Sequence, residues 1–209
     1  MEVFSLRKFA QLTVLAALAC VVLIFSVLLL VNVFSTSSEP KTNAQHTPSQ
    51  QFTQKEFIQK IAPTAEKIAE KYGLYASVMI AQATLESNSG NSELASTPNY
   101  NLFGMKGSYR GNSVRYPTQE DDGKGNMRTI NANFRQYPSY EESMKDYAKL
   151  LQKGTSWNKE IYHKTFVKNS KSYKEATAAL TGRYATDSKY NHKLNQLIKD
   201  YKLSKYDTK

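Results

Sequence analysis

The chain has 209 residues, a formal net charge of +10 at pH 7, a single Cys and three His. One Cys excludes an intramolecular disulfide framework, and the scattered His residues show no metal-ligand spacing, so we expect neither a metal site nor another cofactor. The excess of Lys and Arg over Asp and Glu predicts an acidic polymer or an anionic surface as a neighbour.

An apolar segment near the N-terminus predicts a membrane anchor over residues 9–34. None of these residues is charged, and residues 12–31 would form a helix of roughly 30 Å, about the thickness of a bilayer core. Arg7 and Lys8 precede the segment, so the positive-inside rule places residues 1–8 in the cytoplasm and the remainder of the chain outside. A cleaved signal peptide is the alternative, although its apolar stretch usually has only ~7–15 residues.

The composition changes twice after the anchor. Residues 35–51 are rich in Ser, Thr, Pro, Asn and Gln without apolar periodicity, which predicts a disordered stalk that spans about 20–25 Å when relaxed. Residues 52–209 contain all 14 Tyr and the only Trp. That length can bury a single core, so we expect one globular domain there.

The pattern of this domain is mainly helical. Thr53 and Glu56 have the spacing of a capping box, and Gly73 is a natural end for the helix that they open. Ser139 and Glu142 repeat the capping-box spacing. The periodicity predicts helices over residues 53–73, 77–87, 139–151, 171–181 and 188–203.

The helical pattern is interrupted between residues 99 and 136. Five Gly are spread among two short runs, 113–116 and 126–135, which predicts a small hairpin-rich lobe inserted between helices. The expected fold class is therefore α+β and dominated by helices, with a cleft where the lobe meets them.

Glu86 is the candidate proton donor. Met79, Ala83 and Glu86 fall at helical spacing, so the carboxyl extends a mostly apolar stripe. A carboxyl held against apolar surface is harder to ionise and can donate a proton near neutral pH. On spacing alone, a solvated surface Glu is the more common interpretation.

Four motifs occur in a fixed order across the predicted domain. They read AQATLESNSGNSELA (81–95), NLFGMKG (101–107), FRQYPSYEES (134–143) and GRYATDSKYNHKL (182–194). Together they resemble the endo-β-N-acetylglucosaminidases of glycoside hydrolase family 73, the bacterial autolysins and flagellar hydrolases. The resemblance covers about residues 53–203 and implies a lysozyme-like fold, cleavage of peptidoglycan after N-acetylglucosamine, and Glu86 as the catalytic acid.

Members of that family often carry a second carboxylate on the β-lobe, roughly 35 residues further on. Glu120 lies 34 positions after Glu86 and is our candidate, with Asp121 and Asp122 as alternatives, although an acidic hairpin turn is usually only solvated. A distant carboxylate would activate water with inversion at the sugar, whereas the substrate's own 2-acetamido group is the competing nucleophile. The sequence leaves both routes open.

The resemblance also implies further site residues. Tyr184 is expected to be catalytic, through a hydroxyl that bonds the substrate or the attacking water. Tyr190 is a candidate for substrate binding, with packing as an equal alternative. Four residues are expected to line the cleft floor, namely Asn101, Phe103, Gly104 and Lys106.

These observations predict a membrane-anchored peptidoglycan hydrolase that cleaves the β-1,4 bond after N-acetylglucosamine, with its domain outside the cell and facing the wall. A lytic transglycosylase, a muramidase and a wall-binding protein without catalysis are the alternatives. Expected partners are glycan strands and the membrane, with anionic wall polymers or a membrane protein as a further partner. Nucleic acid is excluded by the predicted topology.

Overall fold

The computed structural model describes residues 51–121 and 127–207. The predicted cytoplasmic segment and anchor lie outside the described residues, as does the stalk except for its last residue. Among the residues that are described, no helix has the length and apolar character needed to cross a membrane.

The first helix, α1, spans Gln54–Tyr72 and forms the predicted capping box. The Thr53 hydroxyl accepts a hydrogen bond from the Glu56 N–H at 3.3 Å, and the Glu56 carboxylate accepts one from the Thr53 N–H at 2.8 Å. Gly73 ends the helix in the left-handed region with φ of 69°. The prediction for both ends of α1 is therefore confirmed.

Helix α2, Ala76–Glu86, is the central element, and every residue of it except Leu85 is buried. The N-cap residue Tyr75, which precedes the helix, supplies no side-chain cap. Asp207 supplies one instead, since its carboxylate accepts hydrogen bonds from the Ser77 N–H at 2.8 Å and the Ser77 hydroxyl at 2.7 Å. The C-terminal end of the described chain thus fastens the start of α2.

The lobe is a single antiparallel hairpin of β1, Ser113–Asp121, and β2, Met127–Arg135. The register pairs Ser113 with Arg135 and Asp121 with Met127. β1 continues past Pro117, five residues beyond the run that the sequence predicts. A two-stranded ribbon has an open edge on each strand, where the missing N–H of a Pro costs no ladder bond.

The hairpin has little core of its own, because β2 is exposed from Met127 through Asn131 and fully buried only at Phe134. Its base is fixed to the next helix, α3, which spans Tyr140–Lys153. Asp146 of α3 accepts hydrogen bonds from the Arg135 guanidinium at 2.5 Å and the Tyr137 hydroxyl at 2.8 Å. This carboxylate therefore determines how the lobe is attached to the helices.

Only half of the second predicted capping box forms at the start of α3. The Ser139 hydroxyl accepts a hydrogen bond from the Glu142 N–H at 3.3 Å. The Glu142 carboxylate instead accepts bonds from the Tyr109 hydroxyl at 2.6 Å and the Lys145 ammonium at 3.0 Å. A tertiary contact with the lobe entry thus replaces the local bond.

Two short helices complete the fold, α4 at Tyr173–Leu180 and α5 at Tyr190–Asp200. Both are shorter than predicted. α5 ends because Lys202 adopts a left-handed conformation with φ of 51°, after which Leu203–Tyr206 form a 3₁₀ turn. Further 3₁₀ turns lie at His163–Thr165 and Val167–Asn169. The described residues form a helix-dominated α+β fold with one two-stranded sheet, as predicted.

Candidate active site

Glu86 is the last residue of α2, and only 5% of it is exposed. The chain turns sharply behind it, since Asn88, Ser89 and Gly90 have positive φ angles of 50°, 57° and 77°. Gly90 is required by packing as well, because a Cβ there would lie 2.5 Å from Cε2 of Phe57. Of the two interpretations of Glu86, a solvated surface side chain and a carboxyl held against apolar surface, the structure shows the second.

A chain of buried hydrogen bonds ends on the Glu86 carboxyl. The Tyr190 hydroxyl of α5 donates to Glu86 Oε1 at 2.6 Å. Gln82 Nε2, one turn before Glu86 on α2, donates to the Tyr190 hydroxyl at 2.9 Å. The Tyr147 hydroxyl of α3 donates in turn to Gln82 Oε1. Three helices therefore contribute to the position of one carboxyl group.

Aromatic rings connect this chain to the segment that leads into the lobe. The ring of Tyr184 stacks on that of Tyr190 with 6.2 Å between the ring centroids. It also packs edge-to-face with the ring of Tyr147, with 5.9 Å between the centroids. The Tyr184 hydroxyl donates a hydrogen bond of 3.2 Å to the Phe103 carbonyl. The Phe103 ring stacks on the Tyr147 ring with 4.1 Å between the ring centroids. Tyr184 and Phe103 thus join the Glu86 site to the predicted cleft floor.

Asn101 fastens that floor to the lobe. Its Nδ2 donates to the carbonyls of Met105 at 2.9 Å and Arg135 at 2.8 Å, and its Oδ1 accepts from the Met105 N–H at 2.9 Å. The loop so closed contains Gly104, whose φ of 57° is in the region that Gly adopts most easily. The backbone carbonyl of Lys106 accepts a hydrogen bond from Arg135 Nε at 3.1 Å.

The sequence comparisons decide the family. The sequence profile of the family "Mannosyl-glycoprotein endo-beta-N-acetylglucosaminidase" matches residues 62–203. The chain belongs to this glucosaminidase family. The resemblance expected from the four motifs is thereby confirmed.

Relatives of this glucosaminidase domain support the assignment. The exo-glucosaminidase LytG of Bacillus subtilis is 46% identical over 155 residues, which are 74% of this chain and 54% of that protein. A probable N-acetylmuramidase of Lactococcus lactis subsp. cremoris is 48% identical over 151 residues, 72% of this chain and 34% of that protein. The chain thus spans about a third to a half of the length of these two relatives.

A solved structure supports the fold. The crystal structure of the catalytic domain of the autolysin Auto from Listeria monocytogenes has a TM-score of 0.71 and 49% identity. It covers 81% of this chain, and this chain covers all of it. The expected lysozyme-like arrangement of helices with a small two-stranded lobe is confirmed at this level.

The environment of Glu86 in the glucosaminidase domain makes its carboxyl hard to ionise. Burial raises the pKa of Glu86 to about 7, against the opposing influence of the Tyr190 hydrogen bond and the positive charge of Lys193. Near neutral pH a large fraction of the carboxyl therefore retains its proton. Because Tyr190 donates to Oε1, we expect this proton on Oε2, from which it can be transferred.

The structure brings several predicted site residues together. Tyr184 and Tyr190 lie around Glu86, while Asn101, Phe103 and Gly104 form the adjoining buried loop. Tyr190 is itself buried, and its hydroxyl donates a hydrogen bond to Glu86 and accepts one from Gln82. Direct contact of these residues, and of Lys106, with a substrate stays a prediction.

The predicted second carboxylate lies on the hairpin. Glu120 pairs with Arg128 through the backbone, one position before the end of β1, and Asp121 pairs with Met127. Asp122 lies outside the described residues. The catalytic role of Glu120 stays a prediction that rests on the sequence.

Over residues 51–121 and 127–207, no group of three or more His, Cys, Asp and Glu side chains is arranged to hold a metal ion.

Sequence reasoning missed Gln82, Tyr147 and Lys193 as residues that influence the acid. Gln82 had a detectable signal, since it is a polar residue four positions before Glu86 on a mostly apolar helix. Lys193 follows Tyr190 by three positions and so lies on the same side of α5. Tyr147 had no such signal, because it joins the site from a different helix.

The raised pKa predicts a specific pH dependence of stability. Glu86 titrates near pH 4.5 when unfolded and near 7 when folded, so the folded state binds more protons between these values and stability falls as pH rises through that window. Relative to Glu86→Gln, the wild type should lose about 3 kcal/mol of unfolding free energy between pH 4 and pH 8.

Urea unfolding at several pH values measures this difference. Glu66→Gln, at an exposed position on α1, is the matched control and should follow the pH dependence of the wild type. A difference between wild type and Glu86→Gln that is constant over pH 4–8 would contradict the buried, proton-retaining carboxyl.

Proposed function

We propose that this chain is a peptidoglycan hydrolase that cleaves the β-1,4 bond after N-acetylglucosamine, with Glu86 as general acid. The observation that carries the proposal is the buried Glu86 carboxyl with a pKa of about 7, placed at the end of α2 in a domain of the glucosaminidase family. A glycosidase needs such a carboxyl, protonated at neutral pH, to protonate the leaving oxygen. A wall-binding protein without catalysis has no need of it.

The surroundings of Glu86 suit both halves of a proton transfer. Glu86 gives its proton to the glycosidic oxygen as the bond from that oxygen to the sugar C1 breaks. The carboxylate that forms is stabilised by the Tyr190 hydroxyl, 2.6 Å from Oε1, and by the charge of Lys193. Burial favours the acid before the transfer, and these two groups stabilise its conjugate base afterwards.

We assign the remaining site residues on the same basis. Tyr184 would hold the substrate or the attacking water. Its ring stacks on that of Tyr190, and its hydroxyl donates a hydrogen bond to the Phe103 carbonyl. Burial and the charge of Glu86 raise the pKa of Tyr184, so its phenol keeps its proton. That proton is donated to the Phe103 carbonyl, and the hydroxyl oxygen would accept a hydrogen bond from the substrate or the water. The floor of the cleft would come from Asn101, Phe103, Gly104 and Lys106, and Tyr190 remains a candidate for substrate binding with packing as an equal alternative.

The attacking group is proposed to be a water activated by Glu120 on β1. Support comes from its spacing of 34 residues from Glu86 and its position near the tip of the lobe. Attack by the substrate's 2-acetamido group is the competing route, and it would need no carboxylate on the lobe.

A muramidase is the second candidate function. It is favoured by one observation, that the Lactococcus lactis relative with 48% identity is a probable N-acetylmuramidase. Such an enzyme would use the same acid but cut on the other side of the disaccharide. The identity of the new reducing end distinguishes the two activities.

We propose that the chain is anchored in the cell membrane by residues 9–34, with residues 1–8 in the cytoplasm and residues 52–209 outside, close to the wall. The uncharged apolar segment and the preceding Arg7 and Lys8 support this arrangement. An outward-facing domain with a net charge of +9 would also attract anionic wall polymers.

The reaction is tested by digesting purified peptidoglycan with the full chain and labelling the new reducing ends. We expect N-acetylglucosamine ends, and at least ~100-fold less cleavage by Glu86→Gln, because a general acid contributes about that much or more. Glu93→Gln, at an exposed position of the same motif, is the control and should retain wild-type activity. N-acetylmuramic acid or anhydromuramic ends would overturn the bond assignment, and an active Glu86→Gln would overturn the acid.

Glu120→Gln tests the second carboxylate separately. We expect turnover to fall at least ~100-fold with little change in folding, since the water would lose its general base. Asp121→Asn and Asp122→Asn, which change the two acidic residues that follow Glu120 in the sequence, are the matched controls. Turnover of Glu120→Gln close to that of the wild type would contradict this role and favour the 2-acetamido route.

Fractionation of bacteria that express the full chain tests the anchor. The protein should remain in the membrane pellet after alkaline carbonate and keep its N-terminus, with an intact mass of 23.7 kDa. Replacing Leu23 and Leu28 by Arg should release it, because each Arg costs about 2.5–3.5 kcal/mol in a membrane helix, while Ala at both positions should not. A soluble mature chain that begins after the apolar segment would show a cleaved signal instead.

A further inference from the structure

Gln82 is a buried polar side chain that the proposed reaction does not use directly. It lies on α2 one turn before Glu86, and none of its surface is exposed. A buried amide is costly unless its hydrogen-bonding groups are paired. Gln82 meets this condition with two hydroxyl groups, those of Tyr147 and Tyr190.

The two partners fix the orientation of the Gln82 amide. Tyr147 donates to its Oε1, so its Nε2 is directed at Tyr190. Because the Tyr190 oxygen accepts from Nε2, its own hydrogen is left to point at Glu86 Oε1. The hydrogen bonds therefore all run in one direction, from Tyr147 towards Glu86, and each strengthens the next.

We propose that Gln82 is a positioning residue for the reaction. Its amide, oriented by Tyr147, makes the Tyr190 hydroxyl a hydrogen-bond donor to Glu86 and so holds the carboxyl in one orientation. This inference rests on the proposed function of Glu86 as the acid. Gln82 itself has no route to the substrate, because it is fully buried.

Four titratable side chains interact electrostatically with Glu86 from the elements packed around it. These are Tyr147 on α3, Tyr184 on the segment between α4 and α5, and Tyr190 and Lys193 on α5. Lys193 is paired with Asp187 at 2.7 Å. Of these four side chains, Tyr190 is the one that donates a hydrogen bond to Glu86, so the direction of its hydroxyl has the most immediate effect on the carboxylate.

The test is the pH profile of kcat/KM for peptidoglycan cleavage by the full chain. The alkaline limb of the profile reports the loss of the proton from the acid. Gln82→Met keeps an unbranched chain of similar size but removes the amide, so Tyr190 becomes a poorer donor and the carboxylate is less stabilised. We expect the alkaline limb to move up by ~0.5–1 pH unit and kcat to fall about tenfold, with KM nearly unchanged.

Tyr190→Phe should move the limb in the same direction. The double variant Gln82→Met, Tyr190→Phe should move it no further than Tyr190→Phe alone, because Gln82 acts through Tyr190. Thr84→Val is the matched control, since it removes a buried hydroxyl of α2 whose bond goes to the Ile80 carbonyl, outside this chain. It should leave the alkaline limb in place.

An alkaline limb unmoved in Gln82→Met, or additive shifts in the double variant, would overturn the inference. If Gln82→Met fails to fold, Tyr147→Phe replaces it, since that change removes only the hydroxyl that orients the amide and should shift the limb in the same direction. A wild type without cleavage, or an active Glu86→Gln, would instead overturn the proposed function. The two failures are therefore distinguishable.

Discussion

The hydrogen bond from Tyr190 to Glu86 is the interaction on which the proposed site depends. It joins α5 to the end of α2 at 2.6 Å and gives a buried carboxyl a partner for one oxygen. Burial alone would push the pKa of Glu86 higher, and a carboxyl in contact with solvent would lose its proton at low pH. The balance of burial against one hydroxyl and one ammonium gives a pKa of about 7.

The remaining structure holds the two ends of that bond in place. Asp207 caps the start of α2, and the α2 residues that follow are buried on nearly all sides. Asp146 secures the base of the lobe through Arg135 and Tyr137, while Asn101 ties the same strand end to the cleft floor. The acid is thus held on a rigid helix, and the lobe is fixed relative to it.

Local signals predicted most of the fold, whereas long-range partners were beyond them. The capping box at Thr53 and the helix end at Gly73 depend on neighbours in sequence, and both are confirmed. The spacing of Glu86 allowed a solvated or a buried carboxyl, and the structure shows it buried. The Glu142 side chain was predicted to cap α3 but bonds Tyr109 across the fold. The bond between Tyr190 and Glu86 joins residues 104 positions apart, so no periodicity could reveal it.

The raised pKa of Glu86 is the property on which the proposed reaction depends most, and carbon NMR measures it without any substrate. Chains labelled with ¹³C at the Glu carboxyl carbons give one titrating resonance that is missing from Glu86→Gln, which assigns it. We expect the pH titration of that resonance to have a midpoint of about 7. A midpoint near 4.5, the value of an ordinary Glu, would contradict a buried acid that retains its proton for catalysis.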